Sequence, residues 1–97
     1  MEEFKGTPGP WFDDSTSPCL YDITGQDGRT VVRIEPNDEI DDFNFMLVAA
    51  APELLEALLG LVGSYDDFRT RKGKPESPQA NEIIKARAAI AKALGKE

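Results

Sequence analysis

The pattern of apolar residues divides the chain into a strand region followed by a helical region. Residues 19–24 (Cys-Leu-Tyr-Asp-Ile-Thr) and 30–35 (Thr-Val-Val-Arg-Ile-Glu) are rich in β-branched and aromatic side chains, which is typical of strands. Residues 25–28 between them contain two glycines and predict a tight turn. We therefore predict a β-hairpin with Leu20, Val32 and Ile34 on one face and Tyr21, Ile23 and Val31 on the other. The alternation leaves open which of these faces is the core face.

The segment before the hairpin is too rich in proline and glycine for a helix. Residues 7–11 read Thr-Pro-Gly-Pro-Trp, and each proline fixes φ and lacks a backbone donor. We predict an extended lead-in that ends at Trp11, with Trp11 and Phe12 beginning or joining an edge strand.

A short helix is predicted over about residues 39–50. Pro36 ends the sheet, and Asp38 or Asn37 can cap the free amides of the first turn. One face of this helix is marked at helical spacing by Ile40, Phe43, Leu47 and Ala50, and Met46 widens it. Pro52 then begins a second helix at an angle to the first, or else kinks a single longer helix.

Two longer helices complete the predicted fold. The first carries a leucine-rich stripe from Leu54 to Tyr65, with Gly60 and Gly63 allowing another element to approach closely. A charged loop follows at residues 69–76, and Ser77 with Pro78 predicts the start of a last helix that ends near Gly95. The predicted fold class is α+β: a small N-terminal antiparallel β-hairpin or three-stranded sheet packed on a C-terminal antiparallel helical hairpin, with a short helix between. Residues 1–97 are predicted to form a single domain.

Composition argues against an enzyme and against a cofactor or metal site. The 97 residues include no histidine and one cysteine, Cys19, so the usual triads and zinc sites are excluded, as is an internal disulfide. The carboxylate pairs at residues 13–14 and 66–67 carry no partner motif and are assigned to the surface. No apolar run approaches the roughly 18 residues of a membrane span, and no secretory signal begins the chain. These features predict a soluble, cytoplasmic binding protein.

Negative charge is concentrated in the N-terminal half. The net charge is −7; residues 1–50 hold 11 acids and 3 bases (−8), and residues 51–97 hold 7 acids and 8 bases (+1). A surface of this sign disfavours nucleic acid and anionic membranes as partners. It favours a basic protein.

The first candidate site is an acidic cluster just after the hairpin. Five acids fall within eight residues: Glu35, Asp38, Glu39, Asp41 and Asp42. They form either a solvated helix start or a docking surface for a basic partner, with Phe43 or Phe45 as the apolar anchor. Their spacing does not match a calcium-binding loop.

The second candidate site would bind a nucleotide. Its residues are an aromatic stacking platform and cations for phosphate groups, namely Trp11, Arg29, Arg33, Arg69, Arg71, Lys72 and Lys74. Arg29 and Arg33 are predicted to face alike on one strand. Pairing with neighbouring acids is the alternative for these arginines, and solvation is the alternative for the cations of the loop.

Three segments of the chain resemble a family of small phage and prophage proteins. They are residues 7–11, residues 49–58 (Ala-Ala-Ala-Pro-Glu-Leu-Leu-Glu-Ala-Leu) and residues 86–93 (Ala-Arg-Ala-Ala-Ile-Ala-Lys-Ala). The resemblance implies a phage accessory protein and no particular activity. Residues 41–48 depart from the family's polar, arginine-containing stretch and are more acidic and aromatic, which suits a specialised protein partner.

Three functional hypotheses follow. The first is a non-enzymatic inhibitor of a basic host defence complex, such as a CRISPR effector, since phage accessory proteins of this size commonly counter host defences. The second is a sponge that sequesters a nucleotide messenger of host defence. The third is a small structural or regulatory subunit that forms a homodimer through the helical hairpin.

Overall fold

The computed structural model describes residues 4–15, 20–73 and 80–96. Strands β1 (Phe12–Asp13), β2 (Tyr21–Thr24) and β3 (Thr30–Ile34) precede helices α1 (Glu39–Ala49), α2 (Ala51–Arg71) and α3 (Asn81–Ala93). The strands form one antiparallel sheet in the order β1-β2-β3. The predicted α+β class, including the three-stranded form of the sheet, is therefore confirmed.

The described residues form two compact units. The sheet unit is made of residues 5–54, and the helical-hairpin unit is made of residue 4 with residues 55–96. That residues 1–97 are a single domain, and that the sheet packs on the helical hairpin, stay predictions.

The hairpin turn forms where the two glycines predicted it. Gly25 donates its N–H to Arg29 O (2.9 Å), and Gly28 donates to Gly25 O (3.0 Å). Gly28 has φ +84°, a left-handed conformation that side chains disfavour. Arg29 therefore belongs to the turn and not to β3, so the prediction that Arg29 and Arg33 share one strand is wrong.

Strand pairing decides which hairpin face is buried. Tyr21 pairs with Ile34 and Ile23 with Val32, and residues directly opposite each other lie on the same face. Ile23 has no exposed surface, so this is the buried face of the sheet. The prediction that Leu20 shares a face with Val32 and Ile34 is therefore wrong, because Leu20 alternates with Tyr21 and lies on the opposite face.

The proline-rich lead-in is held near both the turn and the start of α2. Trp11 Nε1 donates to Thr7 O (3.0 Å). A Cβ added to Gly25 would lie 2.5 Å from Thr7 Cγ2, and one added to Gly9 would lie 2.6 Å from Pro52 Cβ. Glycine is therefore needed at both positions for close approach. The predicted edge strand is observed, with Phe12 in it and Trp11 immediately before it.

Helix α1 ends where Pro52 predicts a break. Ala50 is the C-cap of α1, and α2 begins at the next residue, so the chain has two helices and not one kinked helix. Among the described residues, no single helix is long and apolar enough to cross a membrane, although α1 and α2 taken together with the bend between them meet that test by length and composition.

Helices α2 and α3 are joined by an ion pair and share an open cleft. Arg87 Nη2 donates to Asp66 Oδ1. An open cleft of about 300 Å³ lies beside this pair, lined by Leu59, Val62, Gly63, Asp66, Arg87, Ile90 and Ala91. Helix α3 begins at Asn81 after the cap Ala80, and the predicted cap Ser77 and first-turn Pro78 lie outside the described residues.

Candidate functional site

The acidic cluster lies at the start of α1, and part of it stabilises that helix. Asp38 is the N-cap, and its Oδ1 accepts the N–H of Ile40 (2.8 Å). Asp41 Oδ2 accepts the N–H groups of Asn37 (2.6 Å) and Asp38 (3.3 Å), which completes a capping box. These two carboxylates satisfy amides that the helix itself leaves without partners.

Asp42 connects α1 to the sheet. Its Oδ1 accepts the hydroxyl of Tyr21 at 2.7 Å, and the rings of Tyr21 and Phe45 lie 5.0 Å apart at an interplanar angle of 57°. The hydrogen bond to Asp42 is the main cause that raises the pKa of Tyr21 above its ordinary value, and desolvation adds to it. Asp42 and Phe45 therefore hold α1 on β2.

Glu35 and Glu39 are the two exposed acids of the cluster for which no such hydrogen bond is described. Glu35 follows β3, and Glu39 is the first residue of α1. Phe43 lies one helical turn after Glu39 and is 67% exposed. The structure thus places the exposed acid Glu39 one helical turn from an exposed aromatic ring.

The apolar stripe of α1 is exposed along its length. Ile40, Phe43, Met46 and Leu47 are between 62% and 67% exposed. The half-buried side of α1 instead carries Asp41, Asp42, Phe45 and Val48. We call Glu35, Glu39, Ile40, Phe43, Met46 and Leu47 together the α1 surface.

Sequence reasoning missed Ile40, Met46 and Leu47 as surface residues because a buried stripe and an exposed stripe have the same helical spacing. It also missed the contribution of Tyr21. The one available signal was the acids beside the stripe, since a face meant for the core rarely carries several carboxylates at its edge.

The hairpin arginines of the second candidate site contact acids. Arg33 donates to both oxygens of Asp22, with Nε to Oδ1 at 2.6 Å and Nη2 to Oδ2 at 3.3 Å, and this hydrogen bond raises the pKa of Arg33. Arg29 Nε lies 3.5 Å from Asp27 Oδ2. Both arginines therefore pair with neighbouring acids, which was the alternative to phosphate binding that the sequence left open.

The remaining described candidates of the second site are divided between the chain's two units. Trp11 is half-buried in the sheet unit, while Arg69, Arg71 and Lys72 are in the helical-hairpin unit. Arg69 is buried, with its guanidinium carbon 5.7 Å from the centre of the Tyr65 ring, and Lys72 Nζ is 5.9 Å from that of Phe68. Arg71 is exposed, and Lys74 lies outside the described residues.

Within the described part of the chain, no group of three or more Asp, Glu or Cys side chains has the arrangement of a metal site. The carboxylates at the start of α1 instead accept hydrogen bonds from backbone amides and from a tyrosine hydroxyl. What this arrangement offers chemically is an exposed surface with an acidic edge and an apolar centre.

Comparison with known proteins identifies a family. No curated protein and no solved structure matches the chain. A sequence model of one protein family, described as Salmonella phage P22 protein Y8K6, matches residues 1–97. The match covers the whole chain, so the resemblance to a family of phage proteins is confirmed at the level of the family. The chain therefore belongs to the family of Salmonella phage P22 protein Y8K6, a family of phage proteins.

Proposed function

We propose that this phage accessory protein is a non-enzymatic inhibitor that uses the α1 surface to bind a basic component of the host cytoplasm. The observation that carries the proposal is the position of Glu39 among four exposed apolar side chains of α1, with Glu35 also exposed at the end of β3. A soluble monomer rarely exposes a contiguous apolar patch without a function, and interfaces commonly combine an apolar centre with a charged rim.

The charge distribution favours a basic partner. The first 50 residues carry a net −8, and opposite charges on two proteins accelerate their encounter in a salt-dependent way. Glu35 and Glu39 at the rim would steer association, while Phe43 would supply buried aromatic area at the centre. A host protein that normally holds nucleic acid, such as a CRISPR effector, offers a basic surface of this kind.

The test measures binding and counter-defence with matched variants. Tagged protein is incubated with host lysate at low and high salt, and each captured host complex is purified. The affinity of that complex is then measured for the wild type and for the variants Glu35→Lys/Glu39→Lys and Phe43→Ser. The control, Glu56→Lys/Asp67→Lys, makes the same charge change at exposed positions on α2. We expect the α1 variants to lose at least about tenfold in affinity, equivalent to 1.4 kcal/mol, and the control to lose little.

The same variants are then expressed in cells that carry an active CRISPR system, and the plating efficiency of a targeted phage is measured. Inhibition predicts that the wild type and the control restore plating and that the α1 variants do not. If all four proteins bind the partner with equal affinity, the α1 surface is not the binding surface. Binding without any rescue of plating would remove the CRISPR target.

The alternative, sequestration of a nucleotide messenger, has less support. Arg29 and Arg33 each contact a carboxylate, and Trp11 Nε1 is bonded to a backbone carbonyl. A phosphate group would have to displace Asp22 from Arg33. Calorimetric titration with a panel of cyclic nucleotides tests this alternative, and binding that is lost in a Trp11→Ala variant would favour it over the inhibitor.

A further inference from the structure

We infer that the chain forms an antiparallel homodimer through the face of α2 that points away from α3. This face carries Leu54, Leu61 and Phe68 at intervals of seven residues, and each is at least half exposed (53%, 67% and 54%). Exposed Ala57 and Ser64 lie between them on the same face. Apolar side chains repeated every seven residues, alternating with small ones, form the seam along which two helices interlock.

The inner face of α2 already has a partner. Val62 is buried, and Leu59, Gly63 and Asp66 line the cleft shared with α3. Gly63, which the sequence marks for close helix approach, thus belongs to the contact with α3. A Cβ added to Gly60, by contrast, would meet no atom within 4 Å. The seam at Leu54, Leu61 and Phe68 lies on the other side of the helix.

Charge selects a second copy and its direction. Glu53 lies in the first turn of α2 and Arg71 in the last, both exposed and both along the same edge of the seam. A parallel pair would place the two copies of this edge on opposite sides of the seam, so Glu53 would not reach the Arg71 of the other copy. An antiparallel pair brings the two copies of this edge together and sets each Glu53 near the Arg71 of the other copy.

A two-fold axis at Leu61 satisfies both the apolar and the charged contacts. It places Leu61 against its own copy and Leu54 against Phe68, with Glu53 near Arg71, so the same patch serves on both chains. The seam spans about 21 Å at 1.5 Å per residue. So short a seam predicts association in the micromolar range, weaker than that of an obligate dimer.

The experiment measures the dissociation constant of the dimer by sedimentation velocity over a concentration series of the full chain. Glu53→Lys and Arg71→Glu should each weaken association by about two- to tenfold, as expected for two exposed ion pairs, and the double variant should restore it. Leu61→Lys should abolish the dimer. Glu56→Lys, on α2 but away from the seam, and Phe43→Ser, on α1, should leave it unchanged.

Each other outcome overturns the inference. If the wild-type protein stays monomeric up to millimolar concentration, the α2 seam does not form a homodimer. If the double charge swap does not restore association, the helices do not pair in the antiparallel direction. If Phe43→Ser loses the dimer, the contact lies on α1 and not on the α2 seam. Circular dichroism of every variant shows that the helices are retained. Because the α1 surface and the α2 seam share no residue, this result and the binding result for α1 are independent.

Discussion

The hydroxyl of Tyr21 donates a 2.7 Å hydrogen bond to Asp42, and this bond joins strand β2 to helix α1. The two residues are 21 positions apart in the chain. Phe45, almost one turn after Asp42, adds a ring contact to Tyr21. One tyrosine thus decides which side of α1 lies on the sheet, and the opposite side is left exposed as the α1 surface.

The ionisation of Tyr21 tests this contact. The pKa of Tyr21 is raised because its neutral form donates to Asp42 and its anion would be repelled by that carboxylate. The protein has two tyrosines, so in a Tyr65→Phe background the ultraviolet titration reports Tyr21 alone. Asp42→Asn removes the charge and should bring the pKa back toward its ordinary value. An unchanged midpoint would contradict the contact.

Stability should depend on pH in the alkaline range for the same reason. The folded state binds the Tyr21 proton more tightly than the unfolded state, whose tyrosine has a pKa of about 10. The contribution of this pair is therefore complete below about pH 10 and is lost as the pH rises through the folded-state pKa. Urea unfolding across this range should show a steeper loss in the Tyr65→Phe background than in Tyr65→Phe/Asp42→Asn.

Two isoleucines that look alike in the sequence pattern should differ in their effect on stability. Ile23 is fully buried, so Ile23→Ala should lower the free energy of unfolding by about 2 to 5 kcal/mol. Ile40 is 65% exposed, so Ile40→Ala should change it by less than about 0.5 kcal/mol. Chemical denaturation measures both, and a large loss in Ile40→Ala would mean that the α1 stripe is buried.

The capping box should stabilise α1. Asp38→Ala removes the side chain that accepts the N–H of Ile40, and helix caps of this kind contribute about 0.5 to 2 kcal/mol. Asp38→Asn keeps an oxygen at that position and should retain most of the stability. Glu39→Ala, an adjacent acid outside the box, is the control. Equal unfolding midpoints for Asp38→Ala and the wild type would show that the cap is unimportant.

Gly25 should tolerate a side chain only if Thr7 is shortened. In Gly25→Ala the new Cβ would lie 2.5 Å from Thr7 Cγ2, and overpacking of this kind costs about 1 to 3 kcal/mol. Thr7→Ser deletes that methyl group. The double variant should therefore be more stable than Gly25→Ala alone, and additive losses in thermal unfolding would indicate that the lead-in lies elsewhere.

The local elements were predictable because short-range chemistry determines them. Glycines at 25 and 28 form the hairpin turn, Asp38 caps α1, and Pro52 separates α1 from α2. Each of these effects acts over one turn of chain, so the residue types and their spacing are sufficient evidence. For α3 the structure gives a start at Asn81 after Ala80, and the predicted cap Ser77 lies outside the described residues.

The candidate site was predictable only in its location. The sequence places the acids and Phe43 around the start of α1, but their separate contacts were not foreseeable. Asp38 and Asp41 bond to backbone amides, and Asp42 bonds to a tyrosine from a distant strand. Charge counting treats all five acids alike, whereas geometry leaves Glu35 and Glu39 as the exposed pair.

By itself the sequence determined the order of the elements, the acidity of the N-terminal half and the membership in a phage protein family. Tertiary structure alone decided that Tyr21 and Ile23 lie on the buried face of the sheet and that the apolar stripe of α1 is exposed. The physical reason is that the spacing of apolar residues shows which side chains share a face of a helix or strand, but not whether that face packs against another element. Burial depends on strand register and on contacts between residues far apart in the chain.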